Sequence, residues 1–187
     1  MEMGEKATDK ILVSLFAALT AVGAFIKIPL PYAPLTLQTL MVMFAGLVLG
    51  SRLGALSQIL YLAIGLIGLP IFAQGGGPAY VLQPSFGFLI GFSLAAYVIG
   101  RATEGKQYLS LSRTVAALLL GQAAMYLVAI PYLYFVLNFV VHKKVSFSYT
   151  IKIGLLVFIP GDLLKTAIVA SLGPPVRQRL FHMRKIS

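Results

Sequence analysis

The sequence predicts an all-α integral membrane protein: six transmembrane helices in a single membrane domain over residues 1–187, with structured extracellular loops. Three observations carry that prediction. The first is composition: 59% of the residues are hydrophobic, 11% are charged and the mean hydropathy is +0.92. Soluble domains carry about a quarter charged residues, and a core of this size could not hide so much apolar surface, so lipid is the expected solvent. The second is the division of the chain into six apolar runs, and the third is the placing of basic residues at the ends of those runs.

The first run, residues 11–26, is interrupted only by Ser14 and Thr20. Its basic flank and apolar centre also suit a signal peptide. Removing it would leave five spans and spoil the asymmetry of charge, so a retained helix is expected. The runs at 37–49, 53–69 and 86–99 fall short of the ~20 residues that a lone span needs. Such spans are tolerated where loops pack over the bundle and neighbouring helices thin the bilayer. The fifth run, 115–141, is too long for a straight span, and Pro131 is placed to kink it. The sixth covers 151–172.

Six spans put both termini on one side of the membrane. On that side fall Lys6, Lys10, Arg52, Arg101, Lys106, Arg113, Arg177, Arg179, Arg184 and Lys185. The opposite side receives only Lys27, Lys143, Lys144 and Lys152. Ten against four predicts that both termini are cytoplasmic. The net charge of +10 thus reads as topology, and nucleic acid is not an expected partner.

The two outer loops, KIPLPYAPLT at 27–36 and GLPIFAQGGGPAYVLQPS at 68–85, are rich in proline and glycine. Proline removes backbone donors and glycine permits unusual dihedrals, so these are shaped loops without long regular structure. They also carry Ile71, Phe72, Tyr80 and Val81, which a solvated linker would not need. They read either as caps that shield helix ends or as a lid over an outward-facing cavity. Small residues four apart recur at Ala17/Ala21, Gly46/Gly50 and Gly87/Gly91. In lipid such pairs allow close helix packing. For the two glycine pairs the expected partner is this chain's own bundle. For the alanine pair, own-bundle packing and docking of another protein both remain open.

Absences narrow the chemistry. The chain has no cysteine and no G-x-x-x-x-G-K-[ST] run. Its two histidines, His142 and His182, fall at opposite membrane edges, and Asp162 is the sole acidic residue within a predicted span. A catalytic triad, a metal cluster or a carboxylate pair is therefore not expected, and neither an enzyme nor a resident cofactor is predicted.

Asp162 remains, with Lys165 three residues later on the same helical face. Burying two charges in a span is expensive unless they are paired or hydrated, and such residues mark ligand or ion pathways. Pro160 and Gly161 just before them are placed to disturb the helix and free backbone groups. Asp162 lies about 12 residues into the sixth run, roughly 18 Å of path and near mid-depth. A carboxylate accepts N–H donors and an ammonium donates to a carbonyl or carboxylate, a combination that fits a cyclic urea or amide. A self-neutralising structural ion pair is the competing reading.

Three stretches carry a resemblance. PLTLQTLMVMFAGLVLG (34–50) resembles the P-[VI]-T-L-Q-T region of the BioY family, the biotin-specific substrate-binding (S) components of energy-coupling factor (ECF) transporters. GLPIFAQGGGPAYVLQPSFGFLIGF (68–92) resembles that family's GLPVF, glycine-rich and P-T-x-G-Y stretches, and FIPGDLLK (158–165) its P-G-D-x-x-K signature. The resemblance implies the six-helix ECF S-component fold. It implies capture of biotin from outside, and work alongside a membrane T component and ATP-hydrolysing A subunits. It implies that Asp162 and Lys165 contact biotin, with Gln74, Tyr80, Gln83 and Ser85 as loop contacts, and that Ala17 and Ala21 dock the T component. The chain departs from the family at QPSFGF (83–88), where Ser85 keeps a hydroxyl and Phe88 lacks the phenol. The rival readings are an S component for another vitamin, an ion-coupled secondary transporter using Asp162 as its proton site, and a non-transporting scaffold subunit.

Overall fold

The computed structural model describes residues 2–105 and 108–186. Lys106 of the charge count lies outside the described residues, as do the side chains of Lys6, Arg184 and Lys185. Seven α-helices follow in chain order: α1 (Glu2–Phe25), α2 (Gln38–Leu49), α3 (Ser51–Leu66), α4 (Phe86–Thr103), α5 (Leu111–Phe135), α6 (Phe147–Ile151) and α7 (Ile159–Ile186). α5 continues through Pro131 and ends in a π-helical turn, Val136–Val140. A second π-helical turn, Lys152–Leu156, joins α6 to α7, so these two act as one interrupted rod.

Six rods result, as the apolar runs predict. Four stretches are long and apolar enough to cross a bilayer alone: Ala7–Phe25, Phe86–Thr103, Leu111–Val140 and Phe147–Leu180. α2 and α3, with 12 and 16 residues, are shorter. Most helices run past the apolar stretches, because a helix can continue into water after its greasy part ends. Large side chains such as Ile11, Leu120, Leu127 and Leu164 stay more than half exposed. Water would penalise a surface of that kind, whereas lipid accepts it.

Glycine decides how closely the rods approach. A Cβ on Gly46 would stand 2.6 Å from the Ala96 carbonyl oxygen of α4, and one on Gly91 2.8 Å from the Met125 carbonyl oxygen of α5. On Gly87 it would meet the Tyr132 side chain at 2.5 Å. These contacts lie inside the bundle, as expected. Gly50 differs: nothing lies within 4 Å of its would-be Cβ, and its φ of +86° makes it the one-residue corner between α2 and α3.

The outer loops fold against the helix ends. Residues 27–36 form a ribbon in which β1 (Lys27–Ile28) pairs antiparallel with β2 (Leu35–Thr36). Residues 68–85 turn through Gly75 and Gly77, both at positive φ, into a 3-10 turn at Pro78–Leu82. Aromatic rings stitch this loop to the bundle in a chain Tyr61–Phe72–Tyr80–Phe86–Tyr132, with successive centroids 5.4, 4.6, 6.5 and 5.8 Å apart. Backbone bonds add to the seam: Gly77 N–H donates to the Gly65 carbonyl at 2.8 Å, and Tyr61 OH to the Ile71 carbonyl at 3.0 Å. The two loops are latched to each other by Lys27 Nζ donating to the Ala73 carbonyl.

Candidate substrate-binding site

The interruption before α7 builds the site. Proline cannot donate a backbone hydrogen bond, so Pro160 is tolerated only near the start of a helix. α7 accordingly restarts at Ile159, and the Asp162 N–H bonds the Phe158 carbonyl at 2.9 Å as an early helical bond. The acid thus sits in the first turn of a helix within the bundle, where the positive end of the macrodipole favours a carboxylate. One turn on, Lys165 lies on the same face.

Both side chains are buried, Asp162 3% exposed and Lys165 5%. Lys165 Nζ donates to Asp162 Oδ1 at 3.2 Å and to Thr39 Oγ1, on α2, at 2.6 Å. Tyr126 on α5 donates its phenol to Asp162 Oδ2. Thr166 closes the back of the site, donating to the Asp162 carbonyl at 2.7 Å while accepting from Gln122 Nε2 at 2.6 Å. A buried charge left without partners would cost several kcal/mol, and this cluster supplies hydrogen-bond partners from three helices: Tyr126 on α5 donates to the acid, Lys165 on α7 bridges it, and Thr39 on α2 accepts from the lysine.

The pair faces a cavity of about 460 Å³, counting the open space at its mouth. Its walls are largely aromatic and apolar: Phe88, Phe92 and Phe158 on one side, and Ala33, Pro34 and Ala73 from the outer loops. Gln38 and Thr36 add polar groups beside the charges. Gln38 is itself held, accepting from Thr36 Oγ1 at 2.9 Å and donating to Tyr61 OH at 2.7 Å. The chemistry of these walls suits a small amphiphile with a compact polar head.

The structure unites part of the predicted set. Asp162, Lys165, Tyr80 and Ser85 line one cavity, and the Tyr80 and Ser85 hydroxyls stand 3.4 Å apart. Gln74 and Gln83 are not brought into that lining, and both are exposed. The bridge between Phe72 and Gly75 turns Ala73 inward and leaves Gln74 outside, while beyond the 3-10 turn the inward position is Ser85. Ala17 lies away from this cavity and from the exposed surface of α1. It is 4% exposed and packed in this chain's own core, with Ala21 half-buried against it, because α1 seats that face on α2 and α3. Within the apolar stretch of α1, Ser14 and Ala18 are small residues that the helix turns outward.

Tyr126, Thr39 and Gln38 escaped the sequence reading. Thr39 and Gln38 lie inside the LQT motif quoted above, but nothing local reveals which neighbour they face. Tyr126 was one aromatic in a long apolar run; its only signal is Gln122 four residues earlier, a second polar group on the same helical face. Phe88 lacks a hydroxyl, yet it packs edge-on against Tyr126 at 6.0 Å, and Tyr126 carries the phenol that reaches the acid. Tyr126→Phe should lower the unfolding midpoint of the ligand-free protein by several degrees, because a hydrogen bond to a charged group contributes about 1.5–3 kcal/mol. Thermal unfolding in detergent measures this. An unchanged midpoint would show that the phenol does not support the acid.

Comparison with known proteins agrees with this architecture. The model of the BioY family matches residues 1–182. A probable biotin transporter BioY of Lysinibacillus sphaericus is 49% identical over 152 residues, covering 81% of this chain and 78% of that protein. The biotin transporter BioY of Thermotoga maritima is 38% identical over 161 residues, covering 86% and 90%. The crystal structure of the S-component for biotin from an ECF-type ABC transporter superposes with a TM-score of 0.78 at 26% identity, covering 95% of each chain. The interrupted helix with its buried acid and lysine, the loop-covered cavity and these matches lead to one conclusion: this multi-pass membrane chain belongs to the BioY family.

Proposed function

We propose that this chain is the biotin-binding membrane subunit of an ECF-type vitamin uptake transporter. It captures biotin from outside and delivers it inward with a T component and ATP-hydrolysing A subunits. The observation that carries the reading is the buried Asp162–Lys165 pair on an aromatic-lined cavity of about 460 Å³ beneath two latched loops. Biotin's ureido ring offers two N–H donors and a carbonyl side by side. Asp162 is suited to accept from the N–H groups and Lys165 to donate to an oxygen. Phe88, Phe92 and Phe158 suit the flat, apolar body of the bicycle. Tyr80 and Ser85 stand as contacts from the loop side.

The bias of basic residues supports cytoplasmic termini, an orientation in which the loop-covered cavity opens to the outer face. Opening of the Lys27–Ala73 latch would then admit the ligand, and its closing would exclude water around the charged pair. No step in this chain is catalytic; the energy comes from the A subunits. Ser14 and Ala18, four apart on the lipid-facing side of α1, offer the close-approach surface that a helical membrane partner needs.

Isothermal titration of the detergent-purified protein with biotin tests the proposal. Saturable binding of one biotin per chain is expected, with desthiobiotin, which keeps the ureido ring, competing. Absence of saturable heat at millimolar biotin would refute it, and tight binding of a different vitamin in its place would reassign the ligand.

A further inference from the structure

The end of the bundle opposite Asp162 holds a second cavity, of about 810 Å³, that biotin capture does not use. Helix direction places it there. α2 leaves the first cavity at Gln38 and ends here at Leu49, while α7 passes the first cavity at Asp162 and reaches here at Arg177, roughly 22 Å further along its axis.

One half of the wall is basic. Arg52 and Arg177 line it, and Arg177 Nη2 donates to the Thr103 carbonyl at 2.8 Å. Next to it, Arg113 sends two donors to the Ala102 carbonyl at 3.2 and 3.0 Å, and Arg101 pairs with Glu104 at 3.2 Å. Among the lining residues two guanidinium groups, Arg52 and Arg177, thus face one carboxylate, Glu104, with Arg101 and Arg113 close by. That carboxylate is already engaged: it accepts the Ser51 hydroxyl and the Ser51 backbone N–H at 3.3 Å, closing the first turn of α3. The bond from the Ser51 hydroxyl, with Arg101 beside it, holds the Glu104 carboxyl below the usual carboxylate range. Glu104 is therefore ionised at neutral pH, and among the residues that line the cavity the two guanidinium groups outnumber it.

The other half of the wall is apolar, made by Leu12, Val48, Leu49, Leu53 and Leu180. A soluble anion would satisfy only the basic half, and a hydrocarbon only the other. The cavity lies where the apolar runs end and the basic residues begin, which is the depth of lipid headgroups. Basic clefts between helices at that depth suit anionic headgroups. We propose that this cavity binds an anionic phospholipid, its phosphate facing Arg52 and Arg177 and the root of an acyl chain lying against the leucine wall.

The test is native mass spectrometry together with thermal unfolding of the delipidated full chain. The additions are phosphatidylglycerol, phosphatidylcholine or inorganic phosphate at equal concentration. Phosphatidylglycerol should be retained one per chain and raise the unfolding midpoint, with phosphatidylcholine held about fivefold more weakly for its missing net charge. Arg52→Gln, at an exposed side chain whose loss spares the fold, should reduce phosphatidylglycerol retention by a similar factor. Arg177→Gln should reduce it further, with helicity by circular dichroism confirming that this variant folds. Equal retention of the two lipids, full retention by Arg52→Gln, or an equal stabilisation by inorganic phosphate alone would each overturn the proposal.

Discussion

Asp162→Ala and Lys165→Ala should each weaken biotin binding by at least about 30-fold. The reasoning starts from burial. Removing one member of a buried, hydrogen-bonded charge pair at a binding site costs about 2–5 kcal/mol, and each 1.4 kcal/mol is a factor of ten in affinity. Asp162→Ala removes the acceptor for the ligand's N–H groups and leaves Lys165 with Thr39 as its remaining hydrogen-bond partner among the described residues. Lys165→Ala removes the donor to a ligand oxygen but leaves Asp162 held by Tyr126, so its fold should suffer less. The asymmetry is useful. A purely structural ion pair predicts that the double variant recovers stability and binding together, whereas a ligand-contacting pair predicts recovered stability without binding. Titration and thermal unfolding of the three variants separate these outcomes. Unchanged affinity in both single variants would remove Asp162 and Lys165 from the site.

Gly100→Ala should be the most damaging single methyl group in the bundle. A Cβ at Gly100 would lie 2.1 Å from the Ser51 backbone nitrogen, 2.3 Å from the Gly50 carbonyl carbon and 2.5 Å from the Ser51 Cα. All three are backbone atoms of the α2–α3 corner, and none can rotate away as a side chain would. Comparable overpacking costs about 1–3 kcal/mol where side chains yield, and more where they cannot. The α4 helix must therefore back off from the corner, which lowers the unfolding midpoint by roughly 6–12 °C or prevents accumulation of folded protein. Fluorescence-detected size exclusion over a temperature ramp gives the number. A midpoint within a degree of the parent would mean that α4 and the corner do not approach as closely as the structure places them.

Both results concern features with different legibility. The Asp162–Lys165 pair could be read directly, because a charge within an apolar run is a local anomaly and the i, i+3 spacing puts the two on one face of any helix. The six rods could be read for the same reason: hydropathy is a property of short windows, and lipid selects on it segment by segment. The break ahead of Asp162 was legible too, since proline's missing N–H and fixed φ act on its immediate neighbours.

The rest depended on how helices are rotated about their axes and how far apart they stand. On α1, adjacent residues differ by about 100° of rotation, so Ala17 enters the core while Ala18 faces outward, and spacing alone treats the two alike. Tyr126 reaches Asp162 across 36 positions of sequence only because α5 and α7 pack side by side. Gln74 and Ser85 look equivalent as polar loop residues, yet a backbone bridge turns one outward while the other lines the cavity. Lipid as the solvent, the run of helical rods and the charged pair are written in short windows of residues, because each follows from local chemistry. The tertiary structure alone decided which partners meet that pair and which small residues stay free, because close packing resolves distances and rotations that no single segment encodes.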